Sequence, residues 1–345
     1  MREALLEILR CPACKNRSFS LDENETDGFE IKSGSIVCKD CRASYPIHDG
    51  IVDFLKNVSD SVRRERKAMD DEEYITDGNG NRYRLTEETI QRFGSKFLSL
   101  PEGDGSHFFK RGGSFQSIRE ASGRFYPTFE GLGLTGREDV LEIGACFSYA
   151  SLRFAKKGCR VVALDISNYL KAANLLIDVA YFDRIFSDMH AMPFADSSFD
   201  IVFGSAVLHH SKDLKKAFGE IRRVLKPGGR IVLINESARG VFEKIPPGFE
   251  ELEKRGFGDT SYTIPEWKKA ASGVGFKKIK IELLSLADDY IMRRENRDPG
   301  PWPDFKLRLA RFLKRHRPVE ACLSFLLALP RLFFRPKSWR LYCYK

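Results

Sequence analysis

Long apolar runs are missing from this sequence. A membrane-spanning helix needs about 18 consecutive apolar residues, and the longest candidate, ACLSFLLAL from Ala321, has half that length. The first residues, MREALLEILRCPAC, also lack the apolar core and the cleavage site of a secretion signal. We therefore expect no membrane-spanning segment and no signal peptide, and a cytoplasmic, reducing setting for the cysteines.

Excess charge is missing from most of the chain. The formal net charge is +9, yet residues 302–345 alone carry eleven Lys or Arg against Asp304 and Glu320. The rest of the chain is neutral on balance, so any electrostatic partner is expected at the C-terminal end.

Four of the eight cysteines stand close together near the N-terminus. CPAC at 11–14 and CKDC at 38–41 are two CxxC motifs separated by 23 residues, and two such turns can close a tetrahedral Zn²⁺ site of four thiolates. The predicted ligands are Cys11, Cys14, Cys38 and Cys41, with four free cysteines as the alternative. Since Cys fills all four positions, the zinc is expected to be structural. The intervening FEIKSGSIVC predicts two short strands around a Ser-Gly turn.

The N-terminal segment has a recognisable family pattern. ILRCPACKN…GSIVCKDCRASYPIHDGIVDFL resembles the small zinc-ribbon proteins that partner and activate RNA and protein methyltransferases in eukaryotes and archaea. The resemblance covers residues 4–55 and rests on the cysteines together with the YPIHDGI ending. It implies a zinc-ribbon domain over residues 1–56 that supports a methyltransferase, which we expect to follow on the same chain.

Strand-like and helix-like segments alternate from Glu138 onward. DVLEIG, RVVALDI, DRIFSD, FDIVFGSA and RIVLINE predict five strands, with FKKIKIELLSL as a sixth and SWRLYCYK as an antiparallel seventh. Repeated β-α units form a parallel, doubly wound sheet that binds its ligand at the carboxyl ends of the strands. The predicted fold class is therefore α/β, a Rossmann-like doubly wound, mostly parallel seven-stranded sheet with a small N-terminal zinc ribbon.

The loop after the first of these strands, GACFSY, is poor in glycine. Gly144 is retained, but Cys146 and Ser148 stand where a dinucleotide-binding loop has glycines that admit a pyrophosphate. S-adenosylmethionine carries no phosphate, and its amino-acid end tolerates a bulkier loop. The loop therefore favours S-adenosylmethionine over NAD as the cofactor.

Two carboxylates flank this loop. Asp165, 21 residues past Gly144, ends the second strand, where a carboxylate accepts hydrogen bonds from ribose hydroxyls; strand-end capping is its alternative role. Ile166 follows and is also predicted to contact the cofactor. Glu142 is expected either to face the cationic end of the ligand or to position the loop.

The remainder of this region resembles class I S-adenosylmethionine-dependent methyltransferases of the type 11 group. The resemblance covers residues 137–285 and rests on DMHAMPFADSSFDIVFGSAVLHHSKDLKKAFGEIRRVLKPGG, from Asp188 to Gly229. It implies that Asp188 and Met189 lie near the adenine, and that Ser205 and Ala206 lie under the methionine portion. Capping of the following turn is the alternative for Asp188.

The LHH motif supplies the candidate catalytic residues. His209 and His210 follow the fourth strand at the mouth of the predicted cofactor site, where a histidine could take the proton of an acceptor hydroxyl. Packing against the sheet, or a hydrogen bond to a carbonyl, is the alternative for either ring. The sequence lacks the Asn/Asp-Pro-Pro-aromatic motif and the Pro-Cys nucleophile of base methylation, which disfavours nucleic-acid bases as acceptors and leaves ribose open.

The segments outside the two resemblances are predicted more coarsely. Residues 57–136 form a connector, in which SVRRERKAMDDEEY is expected to be solvated and LTEETIQRFGSKFLSL to be an amphipathic lid helix. GDGSHFFKRGGSF is expected to be a mobile loop or a surface turn. The methyltransferase domain spans residues 137–345, with a basic insertion at 287–337 of the kind that carries recognition or association.

The insertion contains an amphipathic pattern. DFKLRLARFLKRHRP places Phe305, Leu309, Phe312 and Leu313 on one predicted helical stripe bordered by Lys and Arg. Such a helix suits the surface of an anionic membrane, and residues 302–337 are the expected contact. Packing of the stripe on the sheet is the alternative.

Together these patterns predict an S-adenosylmethionine-dependent methyltransferase with a structural zinc. The preferred acceptor is a hydroxyl of a small molecule, a lipid or a glycan, and the setting is cytoplasmic or peripheral at the inner membrane face. An RNA methyltransferase and a non-catalytic S-adenosylmethionine-binding module are the alternatives; DNA is not expected as a partner.

Overall fold

A computed structural model describes residues 1–245, 247–283, 287, 290–291, 305–327, 330 and 339–345. Thirteen strands lie in these ranges: β1 (Phe19–Thr26), β2 (Ile31–Cys38), β3 (Ser44–His48), β4 (Ile51–Asp53), β5 (Tyr74–Thr76), β6 (Arg82–Arg84), β7 (Asp139–Ile143), β8 (Arg160–Asp165), β9 (Asp183–Phe186), β10 (Phe199–Ser205), β11 (Leu225–Ile234), β12 (Lys278–Leu283) and β13 (Trp339–Tyr344). β5 and β6 form a small sheet, and the other eleven strands form one large sheet.

The longer helices of the described ranges are α1 (Asp60–Asp71), α2 (Glu87–Arg92), α3 (Gly94–Leu98), α4 (Gln116–Gly131), α5 (Tyr149–Lys156), α6 (Leu214–Val224), α7 (Pro247–Lys254), α8 (Ile264–Gly273), α9 (Phe305–Arg315) and α10 (Arg317–Leu326). Short 3₁₀ segments occur at Asn168–Leu175 and Leu208–His210, among other places. None of the helices in the described ranges has the length and apolar character that crossing a membrane requires.

Seven strands of the large sheet have the order β9-β8-β7-β10-β11-β13-β12. The pairs from β9 to β11 are parallel, while β13 runs antiparallel to both of its neighbours. In β13, Trp339, Leu341 and Cys343 are buried and alternate with partly exposed residues, as expected for a strand with two unlike faces. The predicted fold class, including its antiparallel seventh strand, is confirmed.

The zinc-ribbon segment does not form a separate sheet. Its strands β1 to β4 continue the large sheet, because β4 pairs in parallel with β9. Ile51 lies opposite Arg184 and Asp53 opposite Phe186, and the amide of Phe54 donates to the carbonyl of Phe186 at 2.9 Å. Sequence reasoning treated the ribbon as an appended domain and did not predict this junction.

A buried ion pair lies at the junction. The guanidinium of Arg184 on β9 contacts the carboxylate of Glu30 beside β2, and both side chains are 0% exposed. Lys32 donates to Glu30 at 2.8 Å, and the amino group of Met1 lies 3.2 Å from it. Burial alone would raise the pKa of Glu30, but Arg184, Lys32 and the amino group together lower it. Arg184 and Lys32 therefore stabilise the charged form of this carboxylate, and the amino group of Met1 is a third contact.

The hairpin of the ribbon turns at a different place from the predicted one. Ser33 and Gly34 lie inside the continuous strand β2, and the β1–β2 turn is formed around Asp27. Asp27 Oδ1 accepts the amides of Phe29 and Glu30, both at 2.8 Å. Gly34 is needed for strand pairing, since a Cβ there would lie 2.2 Å from the carbonyl oxygen of Asp22. The prediction of a Ser-Gly turn was wrong because an Asx turn replaced it.

The connector is more buried than its composition predicted. Helix α1 buries Val62, Glu65 and Ala68, so the segment expected to be solvated packs against the domain. The expected lid helix is broken at Phe93 into α2 and α3. In the segment expected to be a mobile loop or surface turn, Phe108 and its neighbour are buried in an aromatic cluster. The solvated connector was wrong for α1, because contacts with distant residues, such as that of Glu65 with His210, bury part of the helix. In the third segment the Phe side chains are buried, while residues 110–112 form an exposed turn as the surface-turn alternative expects.

Much of the predicted insertion, residues 288–289, 292–304, 328–329 and 331–337, lies outside the described residues. α9 and α10 are described, and their predicted apolar stripe is divided between two faces. Phe305, Leu309 and Phe312 are exposed, whereas Leu313 is half-buried. Packing of the whole stripe on the sheet, the alternative to membrane contact, is therefore wrong for these three residues.

We predict that Glu30→Gln weakens the junction between β4 and β9. Removing one partner of a buried ion pair leaves an uncompensated charge and costs about 3–5 kcal/mol. Hydrogen exchange measured by mass spectrometry should therefore show strongly reduced protection of the β4 and β9 amides. The control is Glu253→Gln, which breaks the exposed Lys212–Glu253 pair and should leave protection unchanged. Unchanged β4 protection in Glu30→Gln would contradict the prediction.

Candidate functional site: a cofactor cavity and a zinc ribbon

A cavity of about 500 Å³ lies at the carboxyl ends of the central strands. Residues at the ends of β7, β8, β9, β10 and β11 contribute to its walls. Strand order reverses between β7 and β10, and doubly wound sheets bind ligands at such a switch point. The volume is in the range of small-molecule and cofactor sites.

The loop after β7 keeps the backbone shape of a glycine-rich loop without the glycines. Gly144 has a φ of +62°, and a Cβ there would lie 2.3 Å from Val207 Cγ2, so no side chain fits. Cys146 and Ser148, the two positions where glycine was missing, have φ values of +47° and +56°. The left-handed conformation is therefore retained by two residues for which it is unfavourable.

Asp165 fixes this loop. Its Oδ2 accepts the amide of Cys146 at 2.7 Å and its Oδ1 accepts the amide of Ser167 at 2.8 Å. The side chain is buried at the end of β8, and burial raises the pKa of its carboxyl group. Asp165 also lines the cavity, so it can accept further hydrogen bonds from a ligand because each oxygen has two lone pairs.

Glu142 faces both the cavity and the protein interior. Its Oε2 accepts the amide of Ser151 at 2.7 Å and the hydroxyl at 2.5 Å, which ties β7 to the start of α5. Complete burial raises the pKa of Glu142 to about 8. Of its two predicted roles, loop positioning has a visible contact, and contact with the cationic end of a ligand stays a prediction.

Asp188 is held by a histidine that the sequence reasoning missed. His190 donates its backbone amide to Asp188 Oδ1 at 2.9 Å and places Nδ1 2.6 Å from the same oxygen. His190 Nε2 lies 2.7 Å from the hydroxyl of Ser211. Burial would raise the pKa of Asp188, but the contact with His190 lowers it. The sequence signal for this pair was the position of His190, two residues after Asp188.

All seven residues predicted to bind the cofactor line this one cavity: Glu142, Gly144, Asp165, Ile166, Asp188, Met189 and Ser205. Ala206, placed by resemblance under the methionine portion, also lines it and has a φ of +55°. Their contact with a bound cofactor stays a prediction, which this convergence supports.

The wall opposite the sheet comes from helices that the sequence reasoning did not assign to the site. α1 contributes Glu65 and Met69, and α4 contributes Ile118 and Arg124. The guanidinium of Arg124 donates to Asn235 Oδ1 at 2.6 Å, and this hydrogen bond links α4 to the end of β11. Helix α4, which directly precedes β7, therefore covers the cavity. This role was predicted for residues 85–100, none of which lines the cavity.

The two histidines of the LHH motif have different surroundings. His210 lines the cavity, whereas His209 is not among the lining residues. His209 Nδ1 lies 2.8 Å from Glu236 Oε2, and Glu236 also accepts the amides of Val207 and Leu208 at 3.0 Å. His209 is therefore fixed by a buried carboxylate behind the cavity wall.

His210 is surrounded by carboxylates. Its Nδ1 lies 3.2 Å from Glu65 Oε1 and 3.6 Å from Asp259 Oδ1. Burial would lower the pKa of His210, but the contact with Glu65 and the charges of Asp259 and Glu236 raise it. The rings of His209 and His210 are 4.4 Å apart. His209, His210 and Asp259 hold polar atoms within 4.8 Å of one another, which we interpret as an ion-pair cluster because carboxylates already face both rings.

The four predicted zinc ligands converge. Cys11 Sγ lies 3.6 Å from Cys41 Sγ, Cys14 Sγ lies 3.5 Å from Cys38 Sγ, and all four sulfurs lie within 4.8 Å of one another. Zn–S bonds of about 2.3 Å in a tetrahedron require separations of this size. The donor set and its spacing therefore fit Zn²⁺.

The two CxxC turns have the same backbone geometry. Lys15 donates its amide to the Cys11 carbonyl at 2.9 Å, and Arg42 donates its amide to the Cys38 carbonyl at 3.0 Å. Both residues have positive φ, +67° and +61°. Each turn therefore presents its two thiols in the same way, and together the turns supply the four donors of a tetrahedral site.

This fold and these two sites define a class: a Rossmann-like S-adenosylmethionine-dependent methyltransferase domain joined to a zinc ribbon. Residues 141–233 match a methyltransferase domain family, and residues 2–50 match the Trm112p-like protein family. The chain contains both domains. The two predicted family resemblances and the predicted cofactors, S-adenosylmethionine and zinc, are confirmed, while the structural role of the zinc stays a prediction.

Several curated methyltransferases are similar to this chain. Demethylmenaquinone methyltransferase of Corynebacterium glutamicum is 36% identical over 106 residues, covering 31% of this chain and 45% of that protein. Sterol 24-C-methyltransferase of Eremothecium gossypii is 28% identical over 180 residues, covering 49% and 46%. The chain thus spans less than half the length of these relatives.

Several solved structures align with parts of this chain. Phosphoethanolamine N-methyltransferase 2 of Haemonchus contortus has 21% identity and a TM-score of 0.46, covering 84% of this chain and 61% of that one. A chain in the complex between the Haloferax volcanii Trm112 methyltransferase activator and a methyltransferase has 20% identity and a TM-score of 0.45. The alignment covers 65% of this chain and 91% of that one. At these values the likenesses add nothing to the assignment of an activity.

We predict that the purified protein contains one zinc per chain and that Cys38→Ser removes it. Zinc joins the two CxxC turns, and the free energy of zinc binding contributes to the folding of such a ribbon. Elemental analysis should show loss of zinc, and limited proteolysis should cut residues 1–55 first.

The matched control for this experiment is Cys322→Ser, which changes an exposed cysteine on α10 and should leave both the zinc content and the cleavage pattern unchanged. A ribbon that resists protease without zinc would show that the metal is not structural.

We predict that Asp165→Ala weakens binding of S-adenosylmethionine at least about tenfold. The change removes charge-assisted hydrogen bonds of about 1.5–3 kcal/mol each and frees the amide of Cys146. Isothermal titration calorimetry measures the affinity. Asp165→Asn keeps one acceptor oxygen and should lose less, while Asp178→Ala, on the surface, should bind as wild type does. Wild-type affinity in Asp165→Ala, or equal affinity of the wild type for NADH, would refute the assignment.

Proposed function

We propose that the protein is an S-adenosylmethionine-dependent methyltransferase that methylates a hydroxyl of a small molecule, a lipid or a glycan. The observation that carries this proposal is the convergence of all seven predicted cofactor residues and His210 on one cavity at the switch point of the sheet. The match of residues 141–233 to a methyltransferase domain supports it.

Bound S-adenosylmethionine supplies an electrophilic methyl group on a sulfonium, and the protein supplies position and charge. In our proposal Asp165 accepts the ribose hydroxyls and Asp188 lies at the adenine. Ser205 is positioned by Asn235, whose side-chain amide donates to its hydroxyl at 2.9 Å, for a place beside the methionine portion. A side chain at Gly144 would clash with Val207, so glycine is required to keep the loop backbone against the end of β10.

In the proposed reaction His210 is the general base. An acceptor hydroxyl must lose its proton as its oxygen attacks the methyl carbon, and a histidine within reach performs this step efficiently. The Nδ1 atom of His210 lies beside Glu65, which leaves Nε2 as the nitrogen for the acceptor proton. The carboxylate of Glu65 then stabilises the imidazolium. His209, bound by Glu236 and adjacent to His210, is a positioning residue.

The electrostatics of the cluster determine the pH dependence. The raised pKa of His210 means that it binds a proton at a higher pH than a free imidazole, and only the neutral ring accepts a proton. The rate should therefore fall on the acid side at a pH above the ordinary histidine range. Removal of the Glu65 charge should move this fall to lower pH, because the carboxylate favours the protonated ring.

Membrane lipids are the acceptor class that we favour. By their names, two of the similar proteins act on demethylmenaquinone and on a sterol, both of which are lipids. Val62, Met69, Ile118 and Tyr169 add apolar surface to the cavity. We propose a cytoplasmic protein, since the eight cysteines are unpaired and reduced thiols are typical of that compartment. A peripheral position at the inner membrane face through residues 302–337 is part of the proposal.

An RNA methyltransferase is the second candidate. The Trm112p-like match over residues 2–50 and the basic C-terminal segment favour it, since Lys and Arg neutralise phosphates. DNA is not expected as a partner. The acceptor therefore has to be found without assuming its class.

The test is transfer of an isotopically labelled methyl group. Wild-type protein is incubated with trideuteromethyl-labelled S-adenosylmethionine and a cell extract separated into lipid, aqueous and RNA fractions. Mass spectrometry should find a labelled O-methyl product in the lipid or the aqueous fraction. Label in RNA alone would support the second candidate, and cofactor binding without any product would indicate a non-catalytic module.

With the product known, His210→Ala should lower turnover about 10²–10⁴-fold with little change in cofactor affinity. His209→Ala should lower it less, because His209 lies outside the cavity. Glu65→Gln should shift the acid limb of the kcat/KM profile to lower pH. Small and equal effects of both histidine changes would show that neither is the base and that positioning alone supports the transfer.

A further inference from the structure

The exposed apolar side chains of the described residues are concentrated at one place. Thirteen large hydrophobic residues are exposed in the described parts of the chain, and eight of them lie within residues 305–327. These eight are Phe305, Leu309, Phe312, Val319, Leu323, Phe325, Leu326 and Leu327. We call them the apolar surface of α9 and α10. A large contiguous apolar patch on a soluble domain marks an interaction site.

Helix α9 has two unlike faces. Ala310 is buried and Leu307 and Leu313 pack beside it, in a small cluster separate from the two main cores. Phe305 and Phe312 occupy the opposite face and are 75% and 52% exposed. At 100° per residue, Phe305, Leu309 and Phe312 share one side of the helix. The apolar surface is thus the outer face of a helix whose inner face is already packed.

Positive charge borders this face. Lys306, Arg308 and Arg315 are exposed on α9, and residues 305–319 contain no acidic residue. The carboxylate of Glu320, the first acidic residue to follow, is buried and accepts from Arg317 at 3.3 Å. Within residues 305–319 the exposed charges are therefore all positive.

Helix α10 continues the surface without charge. After Arg317 it presents Val319, Phe325 and Leu326 to solvent, with Phe325 81% exposed, and residues 321–327 contain no charged residue. Only His316 separates α10 from α9. Helix α9 thus presents exposed aromatic side chains bordered by basic residues, and α10 adds exposed apolar side chains next to them.

We propose that the apolar surface of α9 and α10 docks the protein onto an anionic lipid surface, with the helices lying in the plane of the interface. Aromatic and aliphatic side chains would enter the headgroup–acyl boundary, and the flanking Lys and Arg would contact anionic headgroups. Both helices are too short to cross the bilayer. A second copy of this chain fits less well, because a symmetric contact would oppose two clusters of the same charge.

This inference extends the proposed function by naming the surface at which the enzyme meets a lipid acceptor. It does not depend on catalysis, since docking requires neither S-adenosylmethionine nor an acceptor. A failure of the methyl-transfer test and a failure of docking are therefore observed in separate experiments.

Co-sedimentation of the full chain with vesicles tests the docking. We expect binding to vesicles of phosphatidylcholine with about a third phosphatidylglycerol, little binding to phosphatidylcholine alone, and loss of binding as salt screens the charges. The double variant Arg308→Glu, Arg315→Glu should reduce the partition constant at least about tenfold, because each basic residue near an anionic surface contributes favourably. Its matched control, Lys215→Glu with Lys268→Glu, changes net charge equally on α6 and α8 and should bind as wild type does.

A second variant separates the apolar from the electrostatic contribution. Phe305→Ser with Phe312→Ser should also reduce binding at least about tenfold while keeping the net charge, whereas Val179→Ser, at an exposed apolar position elsewhere, should not. Calorimetric binding of S-adenosylmethionine checks that each variant is folded.

Four outcomes would overturn the proposal. The first is no sedimentation with anionic vesicles at low salt, and the second is an equal loss in the charge-matched control. The third is a lipid-independent dimer in sedimentation velocity that Phe305→Ser with Phe312→Ser dissociates, which would assign the surface to a second copy. Displacement of the protein from vesicles by RNA, with tighter binding to RNA than to lipid, would likewise replace the lipid surface as the occupant.

Discussion

The parallel pairing of β4 with β9 is the contact on which the rest of the structure depends. It joins the ribbon to the cofactor sheet, and the buried Arg184–Glu30 pair fixes it. β9 leads directly to Ser187, whose amide donates to the Asp165 carbonyl at 3.0 Å, and then to Asp188 in the cavity wall. A continuous series of contacts therefore runs from the zinc ribbon through the strand pairing to the cavity wall. Loosening the ribbon should change the position of Asp188.

The loop at Gly144 shows how a backbone shape can survive the loss of the residues that usually form it. Cys146 and Ser148 keep positive φ because Asp165 accepts the amide of Cys146 and Glu142 anchors the start of α5. Side chain–backbone hydrogen bonds thus hold a conformation that glycine would adopt without cost. Unfavourable backbone conformations maintained in this way occur mainly at functional sites, and Ala206 and Asn235 on the same cavity also have positive φ.

Local patterns predicted the sheet, the four cysteines and the residues at the strand ends, because strand alternation, CxxC spacing and strand-to-loop positions are encoded within a few residues. The far wall of the cavity was not predicted. Glu65 lies in a charged segment typical of a solvated helix, and its burial depends on His210, 145 residues later. α4 was missed for a similar reason, since aromatic contacts such as Phe125 with Phe203 bury it. Long-range pairing of this kind has no local signature in a single sequence.

Because the ribbon and the methyltransferase sheet lie on one chain, they associate differently from two separate subunits. Separate subunits associate to an extent set by their concentrations and by competition among partners, whereas tethered ones find each other at an effective concentration set by the linker. The edge of β9 is already paired along its length by β4, which leaves a free ribbon protein no strand to pair with there. Each methyltransferase domain therefore has its own ribbon in a fixed one-to-one ratio, and other enzymes cannot compete for that ribbon.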